Sequence, residues 1–235
     1  MSGSIRLFVA DPLHTGATVV PSAAQAHYLG AVMRRGVGDI VRLFNGQDGE
    51  WQARITAIRK DKAALTVEIP LRPQAPEADL WLAFAPLKRD ATDLVVQKAT
   101  ELGVAALLPV FTERTNTARL NLDRLRAIAM EAAEQSERLS IPEIRAPVDL
   151  PTLIASWPTG RPLFVAVERS QAPGLRQAAG PAGLLIGPEG GFSNQDHEIL
   201  MIGKHCTGAS LGPRVLRADT AAIVGLALLQ ARGCG

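Results

Sequence analysis

Apolar and polar positions follow two different rhythms along this chain, and the rhythm changes near residue 80. Before that point, period-two alternation dominates. Trp51, Ala53, Ile55 and Ala57 alternate with Gln52, Arg54 and Thr56, and Leu65, Val67 and Ile69 alternate with Thr66 and Glu68. This spacing predicts two half-buried strands. Residues 5–9 and 39–44 read as two more. Ser22 opens a helix, Gln25 is placed to complete a capping box, and Leu29, Val32 and Met33 share one face. Asn45-Gly46, Asp48-Gly49 and Asp61-Lys62 supply turns between the strands. A small β-rich barrel or sheet with one helix is therefore expected over residues 1–72.

Pro70, Pro73 and Pro76 then interrupt regular structure and mark a linker. From there to residue 235, buried-strand and helix patterns alternate. Strands are expected at 80–85, 106–111, 163–167, 184–186 and 209–211. Helices are expected from Asp90 or Thr92 to Leu102, over 122–138, from a Ser193 cap towards His205, and from Thr220 to Arg232. Apolar strands alternating with helices imply a mostly parallel α/β sheet over 73–235. The last helix is apolar on nearly every side, which suggests burial rather than a solvated face.

Composition narrows the classes. Of 235 residues, 47% are hydrophobic and 20% charged, which excludes a mainly disordered chain. The apolar runs fall short of a membrane span, and the first six residues lack the features of a signal peptide. Two cysteines, Cys206 and Cys234, cannot build a disulfide framework or a four-thiolate site, and a cytoplasmic setting follows. His14, His27, His197 and His205 are too scattered to suggest a metal. Net charge is only +2, but residues 1–72 hold nine Lys/Arg against six Asp/Glu, an excess that permits RNA docking without requiring it.

Two loops carry candidate chemistry. In Leu184-Leu185-Ile186-Gly187-Pro188-Glu189-Gly190-Gly191-Phe192, a buried strand breaks into glycines that let backbone approach a ligand. Its spacing matches neither a dinucleotide fingerprint nor a phosphate loop, and a tight strand-to-helix turn explains it equally well. The second is Ser210-Leu211-Gly212-Pro213-Arg214-Val215-Leu216-Arg217-Ala218-Asp219-Thr220-Ala221, with Asp219 or Thr220 as a helix cap. Arg214 and Arg217 suit an anionic substrate, or else a salt bridge to Asp219.

In this order and near the C-terminus, the two motifs resemble the RNA methyltransferases of the SPOUT superfamily. The match is closest to the uridine-N3 methyltransferases of small-subunit (16S) ribosomal RNA. Supporting segments are 88–115, including Gln97-Lys98-Ala99-Thr100-Glu101-Leu102-Gly103-Val104 and Glu113-Arg114, then Glu134-Gln135-Ser136, Arg138, Pro142, and His27-Tyr28-Leu29 with Met33-Arg34. The family usually has Arg-Thr-Glu where this chain has Arg217-Ala218-Asp219.

That resemblance implies a PUA-like β-barrel followed by an α/β domain with a C-terminal trefoil knot, a homodimer, and S-adenosyl-L-methionine as cofactor. It places cofactor binding on Val167, Gly187, Glu189, Gly190, Leu211, Gly212 and Leu216. It makes Arg217 the first candidate for the catalytic cation and Arg114 the second, with Glu189 accepting a proton or orienting an arginine. Arg34, Arg35 and Lys88 become candidates for RNA phosphates, no metal is implied, and the partner is 16S rRNA in the small ribosomal subunit. A ribosome-assembly factor that keeps the fold without the chemistry is the alternative. A nicotinamide-dependent oxidoreductase is a third reading, against which the missing glycine fingerprint counts.

Overall fold

The computed structural model describes residues 5–116, 119–168 and 171–231. Residues 1–4, Arg232 at the expected end of the last helix, and Cys234 lie outside them. Contacts divide the chain into two units, residues 1–76 with 133–141 and residues 77–132 with 142–235.

The first unit holds β1 (Arg6–Phe8), β2 (Thr18–Val19), α1 (Ala23–His27), a π-helical turn (Tyr28–Val32), β3 (Ile40–Phe44), β4 (Glu50–Arg59) and β5 (Lys62–Arg72). Its sheet runs β1-β3-β4-β5-β2, antiparallel except for the β1/β3 pair. The capping box of Ser22 and Gln25 opens α1 as expected. Alternation turns Ala53, Ile55, Leu65 and Val67 into a core with Leu7, Leu29, Val41 and Leu43.

The alternation does not hold to the strand ends. A register shift between Ile55 and Ala57 turns Ala57 outward and brings Ile58 against the core instead. Nor does Pro70 stop its strand, since β5 pairs it with Trp51 and runs on to Arg72. β2 covers β5 only at Leu65 and Thr66, so at Pro70 the strand is an edge that needs no second donor.

One buried cation organises this unit. The Arg6 guanidinium donates to the Glu50 carboxylate and to the carbonyls of Ala133, Glu134 and Arg138, and lies 4.5 Å from the Phe44 ring centre. Glu50 is 0% exposed and also accepts from Arg72 at 2.9 and 3.1 Å. Burial pushes its carboxyl pKa up, but the Arg6 and Arg72 guanidiniums outweigh that and hold it below the usual carboxylate value.

The second unit contains β6 (Leu80–Phe84), α2 (Arg89–Glu101), β7 (Ala106–Phe111), β8 (Glu143–Ile144), β9 (Val148–Asp149), α4 (Leu150–Ser156), β10 (Leu163–Ala166), β11 (Ala182–Ile186), α5 (Asn194–Ile202), β12 (Cys206–Ala209) and α6 (Ala218–Gln230). α3 (Leu122–Gln135) begins in this unit, and its last residues cluster with the first. The strands form an all-parallel sheet ordered β12-β10-β11-β6-β7-β8, with β9 also on β7.

Several expected boundaries move, among them the end of α3, at Gln135 rather than 138. α5 stops at Ile202 before Gly203, and the following strand starts at Cys206 rather than at 209. α6 starts at Ala218 with Arg217 at its N-cap, so neither Asp219 nor Thr220 caps it. It packs on α2 and β11, burying Ala218, Ala222, Leu226 and Leu229. Gly225 brings its backbone onto Leu184, and Gly183 of β11 lies under the Trp157 ring. Trp81 is held between the guanidiniums of Arg145 and Arg161, 4.1 and 3.9 Å from its ring centre.

Candidate functional site

Because every strand of the second sheet runs the same way, their carboxyl ends share one edge, where ligands bind in such sheets. Four neighbouring strands, β12, β10, β11 and β6, send loops from that edge into a single cleft of ≈ 840 Å³. The end of β10 contributes Ala166, with Val167 and Glu168 just beyond it; the end of β11 contributes Ile186, with Gly187 to Glu189, Gly191 and Phe192 beyond it. Leu211, Gly212 and Arg214 to Asp219 follow β12, while Lys88, Asp90 and Ala91 follow β6. Cofactor-sized sites typically span 300–1,000 Å³ with apolar walls and a few polar groups. The dimensions and the lining agree with that.

The local chemistry explains the shape of the walls. Gly191 N–H donates to the Pro188 carbonyl at 2.8 Å and adopts φ +68°, closing a turn that other residues adopt only with strain. A Cβ at Gly187 would meet the Phe192 ring at 3.0 Å, so the missing side chain lets that ring fold back on the loop. Ser193 and Asp196 form a reciprocal capping box that starts α5 immediately after the turn. Across the cleft, Gly212 sits at φ +125° with open space around it.

The charged heads at the cleft are unspent. Among the described residues, the side chains of Lys88, Arg214, Arg217 and Glu189 make no hydrogen bond or ion pair. Asp219 does not pair with either arginine; its Oδ1 accepts from the backbone and hydroxyl of Thr220 at 2.6 and 3.2 Å. Glu189 does not bond the loop amides; the turn is closed by Gly191 N–H on Pro188 O.

Most of the residues singled out from sequence meet here. Val167, Gly187, Glu189, Leu211, Gly212, Leu216, Arg217 and Lys88 all line the cleft. Arg114 stands beside it, with one guanidinium N–H donating to the Gly190 carbonyl at 2.9 Å. A Cβ on Gly190 would meet the Arg114 side chain at 3.7 and 3.8 Å, an ordinary contact. Arg34 and Arg35 belong to the first unit, just past the π-helical turn, where Arg34 adopts φ +53° and Arg35 N–H bonds Leu29 O at 2.8 Å.

Sequence reasoning missed Phe192, His197 and Glu168 as lining residues. Phe192 and His197 meet edge to face with ring centres 6.0 Å apart. Among the described residues no cluster of three or more His, Cys, Asp or Glu is placed to hold a metal, and no helix is long and apolar enough to cross a membrane.

Comparison with known proteins matches both units. Residues 73–230 fit the family model of the RNA methyltransferase domain, and residues 21–68 that of the RNA methyltransferase PUA domain. The chain is 33% identical to ribosomal RNA small subunit methyltransferase E of Rickettsia conorii, over 88% of this chain and 86% of that one. It is 35% identical to the Synechocystis protein of the same name, over 96% and 77%. Among solved structures, methyltransferase E of Neisseria gonorrhoeae, bound to S-adenosyl methionine, superposes with TM-score 0.88 at 26% identity, covering 96% of each chain. A Legionella pneumophila protein in complex with the cofactor SAM gives TM-score 0.86 at 29% identity, covering 97% of each.

Proposed function

Because this chain belongs to the RNA methyltransferase family of the ribosomal RNA small subunit methyltransferases E, with its SPOUT-type α/β fold and PUA-like N-terminal module, we propose that it transfers a methyl group from S-adenosyl-L-methionine to N3 of one uridine in 16S rRNA. The observation that carries this reading is the four-loop cleft, with its glycine backbone, aliphatic walls and unpaired charged heads.

The residues present fit the methyl donor. Leu211, Leu216, Ile186 and Val167 offer apolar cover for a purine, and the backbone of residues 187–191 and 211–212 offers donors and acceptors for its edge. When bound, the cofactor supplies an activated methyl carbon. What remains for the protein is to prepare the nitrogen.

Uridine N3 carries an imide proton and attacks only once that proton has left, with the charge spread onto the flanking carbonyl oxygens. Arg217 at the N-cap of α6 is the cation for that charge, and its freedom from ion pairs leaves it available. Arg114 ranks behind it, since Gly190 O already engages its guanidinium. Glu189 accepts the proton or orients Arg217. Lys88 on the cleft rim, and Arg34 and Arg35 on the first unit, contact RNA phosphates. N3 lies on the Watson–Crick edge, so the target base is unpaired or turned out of its helix when it reacts.

The same reading includes a C-terminal trefoil knot, a homodimer and cytoplasmic action on the assembled small subunit. The test is transfer of labelled methyl to small subunits from a strain lacking this protein, followed by mass spectrometry of rRNA nucleosides. A new 3-methyluridine is expected at one position. Donor binding with no transfer would make the chain an assembly factor instead.

A further inference from the structure

We propose that Asp196 is a positioning residue for this methyl-transfer site, acting through a latch that ties the turn after β7 to the glycine loop after β11. The proposal rests on the functional reading above. β7 and β11 are not neighbours, because β6 lies between them in the sheet. Strands two places apart stand roughly 10 Å apart, so loops leaving them meet only by reaching over the end of β6. These two loops meet twice.

The first meeting is at Asp196, whose residue surface is 3% exposed. One carboxylate oxygen, Oδ2, accepts from Ser193 N–H at 2.9 Å and completes the capping box of α5. The other, Oδ1, accepts from Glu113 N–H at 3.4 Å, on the turn after β7. A capping box requires one acceptor oxygen. The second oxygen is spent on a different strand's loop, so this carboxylate does more than start a helix.

The second meeting is one residue further along the same turn, where Arg114 donates to the Gly190 carbonyl at 2.9 Å. The turn is itself stiffened, with Thr112 N–H donating to Thr115 Oγ1 at 2.9 Å and Thr115 N–H to Thr112 O at 3.1 Å. Residues 112–115 and Asp196 do not line the cleft. Their effect on it runs through the loop they hold, which carries Gly187 and Glu189. Two bonds, one on each side of Gly191 and Phe192, fix that wall against a second strand's loop.

The test uses the full chain and reads three quantities: amide exchange at Glu113, calorimetric affinity for S-adenosylmethionine, and steady-state kinetics on small subunits. Asp196→Asn keeps one acceptor, enough for the capping box, and is expected to speed exchange at Glu113 and weaken donor affinity about tenfold, with the KM for subunits unchanged. Arg114→Ala leaves the box intact and is expected to weaken the donor similarly. The double variant is expected to be no worse than the more affected single one, because either change opens the same latch. Asp196→Glu, the commoner residue at this capping position, is expected to recover the helix start but not protection at Glu113. Wild-type donor affinity in a folded Asp196→Asn protein, or losses that multiply in the double variant, would overturn the proposal. If Asp196→Asn does not fold, undiminished donor affinity in Arg114→Ala overturns it alone. Failure of the wild-type chain to bind the donor defeats the functional reading instead, a separate result that leaves the exchange measurement still informative about the latch.

Discussion

Gly225 of α6 lies so close to Leu184 of β11 that a Cβ added there would come within 2.6 Å of the leucine's Cδ2. The helix that follows the cleft loop thus rests on the strand that precedes the glycine loop, and the fit of one sets the distance of the other. Gly225→Val is expected to lower stability by about 1–3 kcal/mol through overpacking, measured by urea unfolding. Gly180→Ala, where nothing lies within 4 Å, serves as the control and is expected to leave the midpoint unchanged.

Acid is expected to undermine the first unit through Glu50. Its folded pKa is depressed, so the folded state binds this proton less readily than the unfolded chain. The contribution is complete above the unfolded carboxylate value and disappears as pH falls through the lower, folded one. Glu50→Gln is expected to cost about 3 kcal/mol at neutral pH, by leaving Arg6 without its carboxylate. It should also flatten the acid limb of a stability-against-pH curve; an unchanged limb would assign that limb to other carboxylates.

Arg217→Ala is expected to reduce turnover about 100-fold or more, the range seen on removing a group that stabilises developing charge. Donor affinity should stay within about threefold, because uncharged walls hold most of the cofactor's surface. Calorimetry and single-turnover transfer check this, and equal loss in both would move Arg217 from catalysis to binding.

Gly212→Ala probes conformation without crowding. A Cβ there meets nothing within 4 Å, but φ is +125°, and holding an L-residue in such a region costs about 1–3 kcal/mol. The loop is expected to relax away from this shape, with donor affinity falling several-fold while the thermal midpoint moves little.

Cys206 is expected to be a slow thiol. It is half-buried, and burial raises its pKa to about 11. Thiolate is the reactive form. Alkylation by iodoacetamide, followed at this position by peptide mapping, should therefore stay slow at neutral pH and accelerate only in strong alkali.

How much of this was legible beforehand depends on the range of the force involved. Period-two alternation placed β4 and β5, and the Ser22–Gln25 and Ser193 caps were readable because both partners lie within one turn. The bulge that turned Ala57 outward was not, because register shifts depend on the facing strand. The two cleft motifs announced themselves as glycine breaks after buried strands. At the β10 end Val167 came only with the family resemblance, while Glu168 beside it and the link from Glu113 to Asp196 were silent, since each depends on strand order rather than on neighbours in sequence. Arg217 at the N-cap in place of Asp219 shows the same limit at small scale. Residue preference favoured the shorter polar side chain, and the backbone began its helix one residue beyond the arginine.

Arg6 spends its guanidinium on one carboxylate and three carbonyls, and those carbonyls belong to residues 133–138. A truncated N-terminal module ending at Arg72 would therefore keep the acid and forfeit every carbonyl, stranding a cation in a hole shaped for a helix end. Excision of this module as a stand-alone domain calls for grafting that helix end back on, or for replacing Arg6 with an apolar residue.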